Sequence, residues 1–234
     1  MIDADFFKDF GRKTIITGHY GSGKTEFAVS LAMLTAEIEK NQNIALIDLD
    51  VVNPYFRSRE KRDMLEKAGI SVYGSLFTEE ITAELPALGA TVRAPLEDKN
   101  SRVIVDLGGN DTGALIINQF AKYFQDSDTI TVAVVNANRP DTQTVENTLE
   151  HIKSIEKITE LKVTGIVNNT HLLSETTVAD IIKGHKLCSD LCKTTNRKLM
   201  CSCYPKGLID PKDLNEIPEP LMPLGLYLRP SWLM

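Results

Sequence analysis

The chain has 234 residues, 42% hydrophobic and 25% charged, with a formal net charge of −6. That is enough for a sizeable core of ordinary globular composition, and the acid excess argues against broad attraction to nucleic acid or anionic lipid. No apolar run approaches the roughly 20 residues that span a bilayer. The first residues, MIDADFFKDFGRK, lack the basic-then-apolar order of a secretory signal. Four cysteines are too few for a disulfide framework, so the expectation is a cytoplasmic chain with reduced thiols.

KTIIT, 13–17, reads as a short strand ending at a glycine turn. Phe27, Ala28, Leu31, Ala32, Thr35 and Ile38 then recur at helical spacing. NIALIDLD, 43–50, is a near-continuous apolar run closed by acids, the pattern of a strand covered on both faces. A polar helix over about 57–68 ends at Gly69, and ISVYG is a third strand. Residues 76–100, interrupted by Pro86 and Pro95, read only as short helical pieces. RVIVDLGG, 102–109, is a buried strand, followed by a helix near 112–124 and the strand TITVAVVNA. A helix over about 141–158, the strand LKVTGIVNN at 161–169, a helix over about 175–194 and the strand KLMCSC at 198–203 complete the series. The tail from about 217 is proline-rich, with an edge strand expected around LGLYL and Trp232 packed on the body or on a partner.

This alternation predicts one domain over 1–234: α/β, three-layer αβα, with a mostly parallel sheet of about seven strands. Ligands of such folds sit at the carboxyl ends of the strands. The glycine turn, two acid clusters and an Asn pair all fall there, so they are expected to converge.

TGHYGSGKTE, 17–26, carries the spacing G-x-x-x-x-G-K-[ST] between a strand and a helix. Glycines let successive N–H groups curl inward around phosphate oxygens, and the helix N-terminus adds partial positive charge. Lys24 is placed to reach the β- and γ-phosphates, and the Thr25 hydroxyl to ligate Mg²⁺. Asp48 and Asp50 end the second strand on one side, and Asp106 ends RVIVDLGG. Such carboxylates fix a metal through its water shell or orient an attacking water, giving candidate metal-side acids at Asp48, Asp50 and Asp106. The alternative for each is a surface turn or helix-cap acid.

Gly18–Thr25, DLD at 48–50, DLGG at 106–109 and VNN at 167–169 together resemble the MinD/ParA and CobQ/CobB group of P-loop NTPases over most of 13–205. GHYGSGKTE with DLDVVNPYFRSRE looks like a bacterial nucleotide-binding branch of that group. The resemblance implies the following roles. Gly18, His19, Tyr20, Gly21, Ser22, Gly23, Lys24, Thr25 and Glu26 hold the nucleotide. Asp50 orients water, Asp106 is the second metal-linked acid, and Gly108 or Gly109 senses the γ-phosphate. Asn168 reads the adenine edge, and Pro205, with Tyr204 and Lys206, covers the base. One departure stands out: His19, followed by Tyr20, occupies the place where many of the group carry a second lysine that crosses a nucleotide-sandwich dimer. Histidine is a poor substitute for a permanent cation. Arg57 or Arg59 is an alternative donor, set against the plain reading of solvent-facing arginines.

No Asn-Lys-x-Asp guanine reader follows a strand, and Asn136 in VNANRPD lacks the lysine, so ATP is expected over GTP. The alternative for Asn168 is a turn cap. The expected function is Mg²⁺-dependent ATP binding with slow hydrolysis to ADP, as a switch, regulator or maturation factor for a protein partner, with a homodimer in view and no nucleic acid. An alternative is a ligase or kinase acting on a small carboxylate, similar to dethiobiotin synthetase or cobyrinic-acid amidase, with Asn110 or Arg57 holding the acid. A second alternative is a non-hydrolysing nucleotide-binding module. Cys188, Cys192, Cys201 and Cys203, with His185 nearby, have spacings that match no zinc ribbon and continue apolar faces. His151 and His171 are expected at the surface.

Overall fold

The computed structural model describes residues 2–50, 61–74 and 92–228, apart from the Thr112 side chain. In chain order the elements are α1 (Ala4–Lys8), β1 (Lys13–Thr17), α2 (Lys24–Ile38), β2 (Asn43–Leu49), α3 (Arg62–Lys67) and β3 (Ile70–Gly74). Then come a helix at 92–97, α4, β4 (Ser101–Leu107), α5 (Asp111–Ala114) and a 3₁₀ stretch at Leu115–Tyr123. The chain continues through β5 (Thr129–Val135), α6 (Val145–Thr159), β6 (Val163–Asn168), α7 (Val178–Thr195), β7 (Lys198–Pro205) and β8 (Leu221–Leu224).

The eight strands form one sheet in the order β3-β2-β4-β1-β5-β6-β7-β8, and every pairing is parallel. Strand β1 lies inside it, fully buried along its length, and the strand order runs outward from it in both directions. That makes its carboxyl end a topological switch point, where ligands of open α/β sheets bind. Side chains alternate between the faces because the strand period is two. Ile16, Leu46 and Ile104 pack with Phe27 and Leu31 of α2 in one core. Ile15, Ile47, Val103 and Val105 pack with Phe120 in the other. Helix α2 buries Phe27, Ala28, Leu31, Ala32 and Thr35, the face its spacing predicts.

The structure differs from the sequence reading in a few elements. The helix expected near 112–124 is one α turn followed by 3₁₀ structure. Gly113 and the β-branched pair Ile116–Ile117 weaken regular helix there. Pro95 lies within α4 instead of breaking it; Pro86 lies outside the described residues, as does the start of the helix expected from 57. Helix α6 starts only at Val145, capped by the Thr144 side chain, after a separate 3₁₀ turn led by Pro140. The tail does add an eighth strand, but at Leu221–Leu224, paired parallel to β7. Its Pro223 is tolerated because β8 is the sheet edge. Trp232 lies outside the described residues.

All four cysteines are free and buried. Cys188 and Cys192 belong to the core beneath α7, and Cys201 and Cys203 to the core beneath α2. Burial raises the Cys188 and Cys203 thiols well above their ordinary range, so they behave as packed apolar groups. Among the described residues no helix is long and apolar enough to cross a membrane.

Arg102 of β4 ties the N-terminus to this frame. Its Nε and Nη2 donate to the Glu39 carboxylate at 3.0 and 3.1 Å, and Nη1 donates to the carbonyls of Phe7 and Gly11 at 3.0 and 2.8 Å. The fork geometry suits arginine and not lysine. Arg102→Ala, and Arg102→Lys nearly as much, should lower unfolding stability by about 2–3 kcal/mol, because Glu39 and two carbonyls lose their donor. Urea titration of the purified variants measures this.

Candidate functional site

The connection from β1 to α2 is a turn at Gly18–Gly23 in which Ser22 N donates to the His19 carbonyl at 3.0 Å. Gly23 has φ +80°, and a Cβ there would run into the Asn169 amide. Only glycine fills this position without strain. Two side chains from neighbouring loops brace the turn. Arg139 Nε donates to the Gly21 carbonyl at 3.1 Å, and Asn169 Nδ2 donates to the Ser22 carbonyl at 2.8 Å. Helix α2 begins at Gly23 with no side-chain cap. Its first N–H groups therefore lack intrahelical partners and form a ready anion site.

Charged side chains gather at the start of α2. Lys24 Nζ lies 2.6 Å from Asp50 Oδ2, with both side chains 6% exposed. Burial opposes the Lys24 charge, but Asp106, Asp50 and Asp48 outweigh it and hold its pKa above the ordinary lysine value. Strands β2 and β4 pair with Asp48 opposite Asp106, which is why acids so distant in sequence meet. Asp106 is fully buried. Burial pushes its pKa up to about 8, with Asp48 and Asp50 adding to the rise and Lys24 and the Thr25 hydroxyl opposing it. Thr25 is near enough to exert that pull, yet neither Asp106 oxygen makes a hydrogen bond of ordinary geometry. Among the described residues the Thr17 and Ser22 hydroxyls are likewise buried without hydrogen-bond partners. Buried polar atoms are rarely left so. Orphaned carboxylate oxygens next to a hydroxyl and a lysine suit a hydrated cation, so the residues fit Mg²⁺.

A cavity of about 250 Å³ adjoins the turn. Its lining includes Lys24 and Thr25, Asn169 and His171, and Pro205 and Leu228. Asn168, expected to read a base, does not reach it. That side chain is fully buried; Nδ2 donates to the Ile181 carbonyl and Ser202 Oγ at 3.0 and 2.9 Å, and Oδ1 accepts from Thr170 N at 3.1 Å. Its hydrogen bonds are used inside the sheet–α7 contact, and the neighbour Asn169 faces the turn instead. Glu26, expected among the nucleotide contacts, lines the cavity, and its carboxylate accepts from the backbone of Tyr227 and Leu228. Asn110 Oδ1 caps α5 by accepting from Gly113 N at 2.8 Å, so it is not poised as an acid binder. Arg57 and Arg59 lie outside the described residues.

His151 and His171 are not the plain surface residues expected. His171 lines the cavity, and its backbone meets the Asn136 side chain. His151 Nε2 lies 2.8 Å from the Gly109 carbonyl, and its ring stands 5.2 Å from that of His19, edge to face. Burial lowers the His151 pKa, with His19 adding to the fall. Gly109 packs on Gly18, where a Cβ would strike the Gly18 carbonyl. His19, itself 3.7 Å from Asp141, thus links the glycine turn to the DLGG loop. Sequence reasoning missed Arg139 and Asn169. Their signal was position alone, just beyond the carboxyl ends of β5 and β6.

The raised Asp106 pKa has a pH consequence. The folded chain keeps this proton to about pH 8, whereas the unfolded chain releases it near 4. Its stabilising share is full below about pH 4, falls as pH rises and is gone above about pH 8. In EDTA, the melting temperature of Asp106→Asn should gain on that of the native chain between about pH 5 and 8 and run parallel above. Calorimetry across that range measures it, and parallel curves throughout would contradict the assignment.

No protein-family model matches the chain, and no curated protein matches its sequence. Solved structures share its architecture. The cell division protein FtsY of Thermotoga maritima aligns with 80% of this chain and 59% of its own, at 18% identity and TM-score 0.51. FtsY of Mycoplasma mycoides aligns with 85% of this chain and 61% of its own, at 14% identity and TM-score 0.54. The signal recognition particle 54 kDa protein of Aeropyrum pernix K1, solved in complex with GDP, aligns with 80% of this chain and 40% of its own, at 19% identity and TM-score 0.50. The chain therefore spans about six tenths of the two FtsY chains. These structures give no support to the narrower MinD/ParA and CobQ/CobB grouping. At such identities the likeness is one of architecture, and the architecture is the P-loop NTPase fold.

Proposed function

We propose that this chain binds the Mg²⁺ complex of a purine nucleoside triphosphate, ATP in the first instance, and hydrolyses it slowly as a switch for a protein partner. One observation carries the reading: Lys24, at the uncapped start of α2, lies buried among Asp50 and an Asp106 whose oxygens have no hydrogen bond of ordinary geometry among the described residues. A triphosphate tail would take Lys24 from Asp50, because phosphate oxygens accept from the lysine and the helix amides together. Thr25 would hold the metal directly and Asp106 through its water shell. Among the described residues no three or more His, Cys, Asp or Glu side chains form a metal cage, so phosphate oxygens would complete the coordination. Bound Mg²⁺ would supply neutralisation of charge on the β–γ bridge. Asp50, released from Lys24, would orient the attacking water, while Lys24 stabilises the developing charge.

Adenine is favoured because no Asn-Lys-x-Asp follows a strand. With Asn168 committed to the core, the base falls to the cavity bounded by Asn169 and Pro205. Guanine is the second reading, favoured by the GDP complex of the Aeropyrum pernix neighbour. Action in the cytoplasm, a protein partner and a homodimer in which His19 replaces the second lysine belong to the same proposal. A His19 contact to the DLGG loop through His151 would let the γ-phosphate state of one loop be felt by the other.

Titration calorimetry with Mg²⁺ and ATP or GTP tests the reading. The native chain should bind at least one of them, and Lys24→Ala should weaken that affinity by about 100-fold or more, the loss of charge-assisted bonds to two phosphates. Phosphate release should fall with it. Equal affinity and turnover in the native chain and Lys24→Ala would refute the proposal.

A further inference from the structure

The cavity beside the phosphate turn has one wall built from the end of the described chain. Leu224, Leu226 and Leu228 all line it, and their alternation gives an apolar strip. Its backbone is held by helix α2. Glu26 Oε1 accepts from Tyr227 N at 2.6 Å and Oε2 accepts from Leu228 N at 3.0 Å. One turn further along α2, Ser30 Oγ accepts from Gly225 N at 3.1 Å. On the far side, Lys206 N donates to the Leu224 carbonyl at 3.0 Å. Between these fixings the strip makes a tight turn. The Tyr227 ring lies against Gly225, and Leu226 adopts φ +51°, a left-handed conformation that leucine rarely takes. Strain of this kind persists only where surrounding contacts over-determine it. Among those contacts the Glu26 carboxylate accepts from two consecutive amides, and such bonds are charge-assisted.

We propose that Leu224–Leu228 is a strap forming the apolar wall against which the nucleobase stacks, and that Glu26 is the positioning residue that holds it. This rests on the nucleotide reading above and deepens it. The cavity lining joins polar Lys24 and Thr25 to an apolar set made of Leu224, Leu226, Leu228 and Pro205. A flat aromatic ring is the ligand part that suits such a slot. Glu26 directly follows Thr25, so the same helical turn carries the metal-side hydroxyl and the anchor of the base wall. A role for Glu26 in phosphate contact would show in polyphosphate binding. A role in the wall shows only when a base is present.

The experiment compares inorganic tripolyphosphate with ATP and GTP, each with Mg²⁺, on the native chain, Glu26→Ala and Glu26→Gln. In Glu26→Ala the preferred nucleotide should lose about tenfold or more in affinity, while tripolyphosphate changes less than about twofold. Glu26→Gln keeps a neutral acceptor in place and should recover part of the loss. Unchanged tripolyphosphate binding also reports that the variant is folded around its phosphate site. Equal weakening of nucleotide and tripolyphosphate, or no weakening of either, would overturn the strap. Failure of the native chain to bind tripolyphosphate or either nucleotide would instead overturn the phosphate site, and the strap with it.

Discussion

A buried ammonium among buried carboxylates is the constraint around which this molecule is organised. Lys24 meets Asp50 at 2.6 Å with both side chains almost wholly removed from water. Two charges so desolvated are costly unless each is well paired. The third acid, Asp106, escapes the cost by keeping its proton, as burial lifts its pKa to about 8. The arrangement is balanced but not saturated: one acid is spent on the lysine, and another has oxygens with no hydrogen bond of ordinary geometry among the described residues. A fold meant only to persist would replace such groups with packed apolar side chains. Their presence here supports the proposed binding of an anion and a cation together.

The sheet explains how the acids arrive. Strand β2 and strand β4 lie side by side in register, bringing Asp48 beside Asp106 at the carboxyl ends, and β1 delivers the glycine turn from the neighbouring lane. Alternation sends the intervening Ile, Leu and Val residues to two separate cores. The apolar runs that secure the sheet also set the depth at which the acids emerge.

Much of this was legible because it is local. The spacing Gly18–Thr25, the acids that close apolar runs and the face Phe27–Ala28–Leu31–Ala32–Thr35 each depend on a few adjacent residues. What stayed hidden depends on register or on distance. Asn168 and Asn169 are neighbours in sequence, but consecutive residues of extended chain face opposite ways. The first is therefore sealed under α7 and the second reaches the phosphate turn. The grip of Glu26 on Tyr227 spans 201 positions, and no periodicity announces it. Arg139 comes from a loop, and only the placing of β5 beside β1 brings it to Gly21. The edge strand was anticipated a few residues too late because Pro223 looks like a breaker until the sheet edge is seen to need no donor there.

The braces on the carbonyls of Gly21 and Ser22 have a kinetic side. Arg139 and Asn169 hold those oxygens from two neighbouring loops, so the backbone of the turn is fixed by the fold itself. The ordering entropy of the loop is settled when the polypeptide folds and does not recur at each encounter. On the proposed reading a polyanion meets a turn already held in place, and its rate of capture is set by diffusion and by ionic strength.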